Sequence, residues 1–147
     1  MQVLCLQGPN LNLLGHREPD TYGSVTLEGI QRELDGLAKD LGVELRHVQS
    51  NHEGGLIDAI QAAAAEGFAG CVINPGGYTH SSVAVRDAFS ATKLPFVEVH
   101  ISNVHAREPF RHTSLFAPIA RGVVIGFGPA GYRLALQGLV ERVRREG

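Results

Sequence analysis

Two hydrophobic rhythms alternate along the chain. Short runs at Val3-Leu-Cys-Leu, Val43-Glu-Leu-Arg-His-Val, Cys71-Val-Ile, Phe96-Val-Glu-Val and Val123-Val-Ile read as five β-strands. Several are continuously apolar, as strands are when both faces of a sheet are covered. Between them, apolar residues recur at three- and four-residue steps. Leu27, Ile30, Leu34, Leu37 and Leu41 form one stripe of a helix that Gly42 closes. Ser50-Asn-His-Glu53 has the spacing of a capping box and predicts the start of a second helix carrying Leu56, Ile57, Ile60, Ala63 and Ala64. A third helix is predicted from about Ser81 to Ala91. A last one follows Pro129, with Leu136, Leu139, Val140 and Val143 facing inward. This alternation predicts an α/β fold, an open, doubly wound, five-stranded parallel sheet of flavodoxin-like order 2-1-3-4-5 with helices on both faces. No linker, repeat or low-complexity segment interrupts the pattern, so the chain, residues 1–147, reads as a single domain.

Composition narrows the class of protein. An apolar content of 44% with 19% charged residues is that of an ordinary soluble domain. The net charge of −2 offers no overall basic face, so neither nucleic acid nor an anionic membrane surface is expected as a partner. No apolar run approaches the roughly 20 residues that span a bilayer. Met1-Gln-Val-Leu-Cys-Leu-Gln reads as a first strand rather than a signal peptide, and the expected location is the cytoplasm. Cys5 and Cys71, each inside an apolar run, read as buried free thiols.

Chemistry is expected where the strands end. In doubly wound sheets ligands bind beyond the carboxyl ends of the strands, near the point where strand order reverses. Strands 1, 3 and 4 end in Gln7-Gly-Pro-Asn-Leu-Asn, Asn74-Pro-Gly-Gly-Tyr-Thr-His80 and His100-Ile-Ser-Asn103. As neighbours in the predicted order, these tips form the walls of one cleft. Strand alternation puts Glu98 and His100 on the same side, where a carboxylate can fix the tautomer of an imidazole and favour the protonated ring that a general acid requires. Ser102 and Asn103 add donors, and Arg107 and Arg111 are four residues apart, close enough to converge on one anion. The stretch from about 14 to 24 has few apolar residues and two glycines, and reads as a mobile lid loop.

Four segments together resemble the type II 3-dehydroquinate dehydratases: Gly8-Pro-Asn-Leu-Asn, Gly15-His-Arg-Glu-Pro with Tyr22-Gly23, Asn74-Pro-Gly-Gly-Tyr-Thr-His80, and Glu98-Val-His-Ile-Ser-Asn-Val-His-Ala-Arg-Glu108. The resemblance covers essentially the whole chain. It implies a hydro-lyase that converts 3-dehydroquinate to 3-dehydroshikimate by anti elimination through an enolate, in the shikimate pathway of aromatic amino-acid synthesis or in quinate breakdown, with no metal or organic cofactor. It implies that Tyr22 is the base, acidified by Arg17 with Arg107 helping, since a phenol ordinarily titrates near ~10. His100 is then the general acid, oriented by Asn74 and Glu98, and Asn10 holds a water against the enolate oxygen. Ile101 and Ser102 take the substrate carboxylate, with His80 and Arg111 on ring hydroxyls. Asp87 reaches the site from a neighbouring subunit of a dodecamer built as a tetramer of trimers.

Rival readings have specific weaknesses. Gly126-Phe-Gly-Pro-Ala-Gly131 fits a dinucleotide-binding pattern and raises a nicotinamide-dependent oxidoreductase. That pattern wants a further strand with an acidic residue about 20 positions on, and only one helix follows here. Of seven histidines none shows a metal-ligand spacing. A non-catalytic flavodoxin-like binding module would have no use for a tyrosine and two arginines around one cleft. A lysine Schiff base has only Lys39 and Lys93 to draw on, one off the apolar stripe of its helix and one in a connection before strand 4.

Overall fold

A computed structural model describes residues 1–16 and 25–147. Strands β1 (Gln2–Gln7), β2 (Glu44–Gln49), β3 (Gly70–Asn74), β4 (Phe96–His100) and β5 (Gly122–Ile125) form one parallel sheet in the order β2-β1-β3-β4-β5. This is the predicted order. Its reversal point lies between β1 and β3, where Gln7 stands opposite Asn74. Helices α1 (Leu27–Leu41), α2 (Glu53–Ala65), α3 (Val83–Thr92) and α4 (Ala130–Glu146) cover the two faces.

Strand alternation sorts the core into two layers. Val3, Cys5, Val72, Val97 and Val99 pack with Ile30 and Leu34 of α1 and with Tyr132, Leu136, Leu139 and Val140 of α4. Leu4, Leu6, Cys71, Ile73 and Phe96 pack with Leu56 and Ile60 of α2 and with Val85 and Phe89 of α3. Phe89 stacks on Phe96 at 4.0 Å, and Phe116 meets both edge-on. Each fully buried side chain of this kind stabilises the fold by about 1.5–3 kcal/mol, so either layer alone is a substantial core.

The helix ends follow local chemistry, with one correction. The Thr26 hydroxyl accepts from Gly29 N–H at 3.1 Å and opens α1; Gly42, at φ 74°, closes it in the left-handed region. The Ser82 hydroxyl accepts from Val85 N–H at 3.1 Å and opens α3, two residues later than Ser81. The capping box expected at Ser50–Glu53 does not form. Ser50 Oγ instead accepts from His52 N–H at 3.1 Å, tucked against Gly55, where a Cβ would lie 2.3 Å from it. Glu53 accepts a hydrogen bond from the Ser82 hydroxyl and so ties α2 to α3 rather than capping its own helix.

The lid expected at about 14–24 falls largely on residues 17–24, outside the described residues. Its first residue, Leu14, is in a turn, and its side chain, 2% exposed, packs into the layer under α1 and α4. In the segment that raised a dinucleotide fold, Gly126 (φ 89°) and Gly128 (φ 65°) make turns, and Pro129 leads into α4.

Candidate active site

At the carboxyl ends of β1, β3 and β4 lies a polar cleft of about 140 Å³, walled by Asn10, Asn74, His80, His100, Ser102 and Arg111 among others. Three strand tips meet there because they approach closely. Gly8 N–H donates to the Asn74 carbonyl at 2.8 Å, and a Cβ on Gly8 would lie 2.4 Å from the Pro75 carbonyl oxygen.

Glu98 and His100 share a face, as alternation demands. His100 Nε2 lies 2.5 Å from Glu98 Oε2, with the Glu98 side chain 1% exposed. Ser114, which the sequence reading did not single out, fixes the carboxylate. Its oxygen accepts from Phe116 N–H and Ala117 N–H, both at 3.0 Å, so its own proton goes to Glu98 Oε1 at 2.8 Å. With Nε2 bound to Glu98, the other ring nitrogen, Nδ1, is the one left to serve the cleft. Among the described residues, Asn74 makes no direct hydrogen bond to His100. Val97 and Val99 point into the layer under α4, so Glu98 and His100 point the other way, whereas Asn74 follows Val72 on the α4 side. Its amide donates to the Tyr132 hydroxyl at 2.9 Å, and its oxygen accepts from Gly76 N–H at 3.1 Å.

Asn10 stands at φ 70°, a left-handed conformation that asparagine tolerates better than most side chains. Its side chain does not cap the turn Leu11–Leu13. Its backbone N–H donates to Asn51 Oδ1 at 3.0 Å, which also accepts from Gln49 Nε2 at 3.0 Å. Gln49 and Asn51 therefore brace the loop that presents Asn10, a role their polar character at the end of an edge strand could have suggested.

His80 also has a defined tautomer. Its Nδ1 lies 2.8 Å from the Thr113 carbonyl, which can only accept, so Nδ1 carries a proton and the neutral ring has its acceptor at Nε2. Ile101 and Ser102 follow β4 directly and line the cleft, and Arg107 Nη1 donates to Ser102 Oγ at 3.4 Å. Arg107 and Arg111 both line the cleft, and the anion they converge on here is Glu108, at 3.8 and 3.1 Å. Its own backbone N–H and the Arg111 hydrogen bond hold the Glu108 carboxyl below the usual range. Asp87 does not line this cleft. It is well exposed on α3, 3.5 Å from Arg86. Tyr22 and Arg17 lie outside the described residues. Among the described residues, no group of three or more His, Cys, Asp and Glu side chains is arranged to hold a metal ion.

The doubly wound sheet and a polar cleft with a buried carboxylate–imidazole pair define a class of small α/β protein with an acid–base site at the strand tips. Within that class, residues 1–140 match the family model described as Dehydroquinase class II, and the chain belongs to that family. It is 55% identical over 143 residues to 3-dehydroquinate dehydratase 1 of Pseudomonas aeruginosa, covering 97% of both chains. It is 54% identical over 145 residues to the catabolic 3-dehydroquinase of Pyricularia oryzae, covering 98% of this chain and 92% of that one. The crystal structure of type II dehydroquinase from Butyrivibrio crossotus superposes with a TM-score of 0.92 at 45% identity, covering 95% of this chain and 97% of that one.

Proposed function

We propose that this chain dehydrates 3-dehydroquinate to 3-dehydroshikimate in the shikimate pathway. The observation that carries the reading is the Ser114–Glu98–His100 array presenting one imidazole nitrogen to a polar cleft, in a chain of this family. The reaction takes a proton from the carbon beside a ketone and expels a β-hydroxyl. Tyr22, made acidic by Arg17 with help from Arg107, takes that proton. The electron pair moves into the ketone to form an enolate, whose oxygen faces a water held by Asn10. As the enolate collapses, the carbon–oxygen bond to the hydroxyl breaks, and Nδ1 of His100 supplies the proton that lets it leave as water. The tyrosine then returns its proton to solvent and the histidine is recharged, so no net proton is consumed.

Substrate binding follows the same polarity. The backbone N–H groups of Ile101 and Ser102 and the Ser102 hydroxyl, which Arg107 holds in place, take the carboxylate. The Nε2 lone pair of His80 and the Arg111 guanidinium take ring hydroxyls, and Asn74 lines the opposite wall. The stretch from about 14 to 24 acts as the lid that carries base and arginine to the substrate. Asp87, exposed and outside its own cleft, reaches a neighbour's site in a dodecamer of four trimers, located in the cytoplasm. No described helix is long and apolar enough to cross a membrane.

The test is the ultraviolet absorbance of EDTA-treated protein given 3-dehydroquinate. A conjugated enone carboxylate absorbs strongly where the substrate does not. Saturable growth of that band is expected. Folded, assembled protein that binds substrate without producing it would reduce the cleft to a binding site.

A further inference from the structure

Tyr132, 1% exposed and on the first turn of α4, brings a polar hydroxyl into the apolar layer under that helix. Its hydroxyl sits between the tips of β1 and β3. It donates to Gln7 Oε1 at 2.7 Å and accepts from Asn74 Nδ2 at 2.9 Å. Gln7 is itself 1% exposed, and its Nε2 has no hydrogen-bond partner among the described residues. The chain of bonds has one direction. Because Tyr132 gives its proton to Gln7, its oxygen can only accept from Asn74, which must therefore present its NH₂ end inward. Gly76 N–H, 3.1 Å from Asn74 Oδ1, demands the same orientation, since a flipped amide would set two donors against each other. Asn74 is thus held at both ends, with one N–H and one lone pair left for the cleft it lines.

We propose that Tyr132 is a positioning residue for the reaction, its hydroxyl and Gln7 together deciding which face of the Asn74 carboxamide meets the substrate. Burial pushes the Tyr132 phenol well above its ordinary range, and the hydrogen bond from Asn74 offsets only part of this. The hydroxyl therefore keeps its proton at every working pH. This is the opposite of what a catalytic base needs, and it separates Tyr132 from Tyr22.

The inference rests on the dehydratase reading, so wild-type turnover of 3-dehydroquinate is measured in the same assay. Its absence would sink that reading and this one with it, whereas wild-type turnover with unimpaired variants would sink this one alone. Tyr132→Phe keeps the ring and removes the hydroxyl. It is expected to lower kcat/KM about tenfold or more, yet to change nothing further in an Asn74→Ala background, because the hydroxyl acts through that amide. A second variant covers poor folding of the first. Gln7→Leu removes an amide nitrogen with no partner among the described residues, together with the acceptor for Tyr132, whose proton can then turn toward Asn74. It is expected to keep its Tm within a few degrees of wild type while losing activity by about the same factor. Equal, additive losses from Tyr132→Phe in the wild-type and Asn74→Ala backgrounds, or wild-type kcat/KM in either folded variant, would overturn the proposal.

Discussion

Replacing Gly8 with alanine tests whether the spacing of two strand tips sets the activity. The new Cβ would lie 2.4 Å from the Pro75 carbonyl oxygen and 2.6 Å from its carbon, and the neighbouring Asn74 oxygen is 3.2 Å away. Real Cβ atoms essentially never come nearer than 3.0 Å, and both partners are backbone, so no side chain can swing aside. The tips of β1 and β3 must part by at least about 0.6 Å, and displacements of this order in a reacting assembly cost up to about 100-fold. The Gly8–Asn74 hydrogen bond of 2.8 Å stretches by the same movement. Overpacking of this kind costs about 1–3 kcal/mol, which for a domain of this size lowers Tm by roughly 3–12 °C and leaves it folded at 25 °C. The expected result is a loss in kcat/KM of about 10- to 100-fold alongside a modest fall in Tm. Gly36→Ala on the exposed face of α1, where a Cβ meets nothing within 4 Å, is the control. It should raise stability by about 0.5–1 kcal/mol through helix propensity and leave kcat alone. Gly8→Ala with normal kcat/KM and a lowered Tm would refute the argument, because the site would then tolerate a wider gap.

Three further outcomes are expected. Tyr22→Phe should lower kcat by orders of magnitude while substrate-analogue binding, measured by calorimetry, stays close to wild type; near-normal kcat would remove Tyr22 as base. Borohydride added with substrate should neither inactivate the enzyme nor label Lys39 or Lys93, because neither lysine lines the cleft; mass-spectrometric label on either would replace the enolate mechanism. Burial, with Asp35's charge adding to it, pushes the Cys5 thiol up to about 12. The unfolded chain ionises near ~8.5 and the folded one does not, so this group's contribution is intact below ~8.5 and declines as pH rises toward its folded value. Tm should therefore fall between about pH 8.5 and 10, and Cys5→Val should flatten that fall; an unchanged slope would show the thiol is not responsible.

Much of this protein was decided locally. The β-strands at Cys71-Val-Ile and Phe96-Val-Glu-Val, the α1 stripe at Leu27, Ile30 and Leu34, and the left-handed close at Gly42 follow from periodicity and backbone sterics, which short segments carry by themselves. The Glu98–His100 pair was legible for the same reason, since residues two apart on a strand share a face wherever the strand lies. Residues linked only through space were not. Ser114 meets Glu98 from 16 positions away, and Tyr132, on the first turn of α4, joins Gln7 from 125 positions away at the tip of β1. Ser50 and Glu53 had the spacing of a cap, yet Gly55 made room for one and Ser82 captured the other. Local spacing says which bonds a side chain is able to make; the packing of distant elements decides which partner it meets. In the same way Asn74, a polar residue at a strand end on any reading, owes its orientation to a tyrosine and a glycine N–H that only the folded chain brings to its two ends.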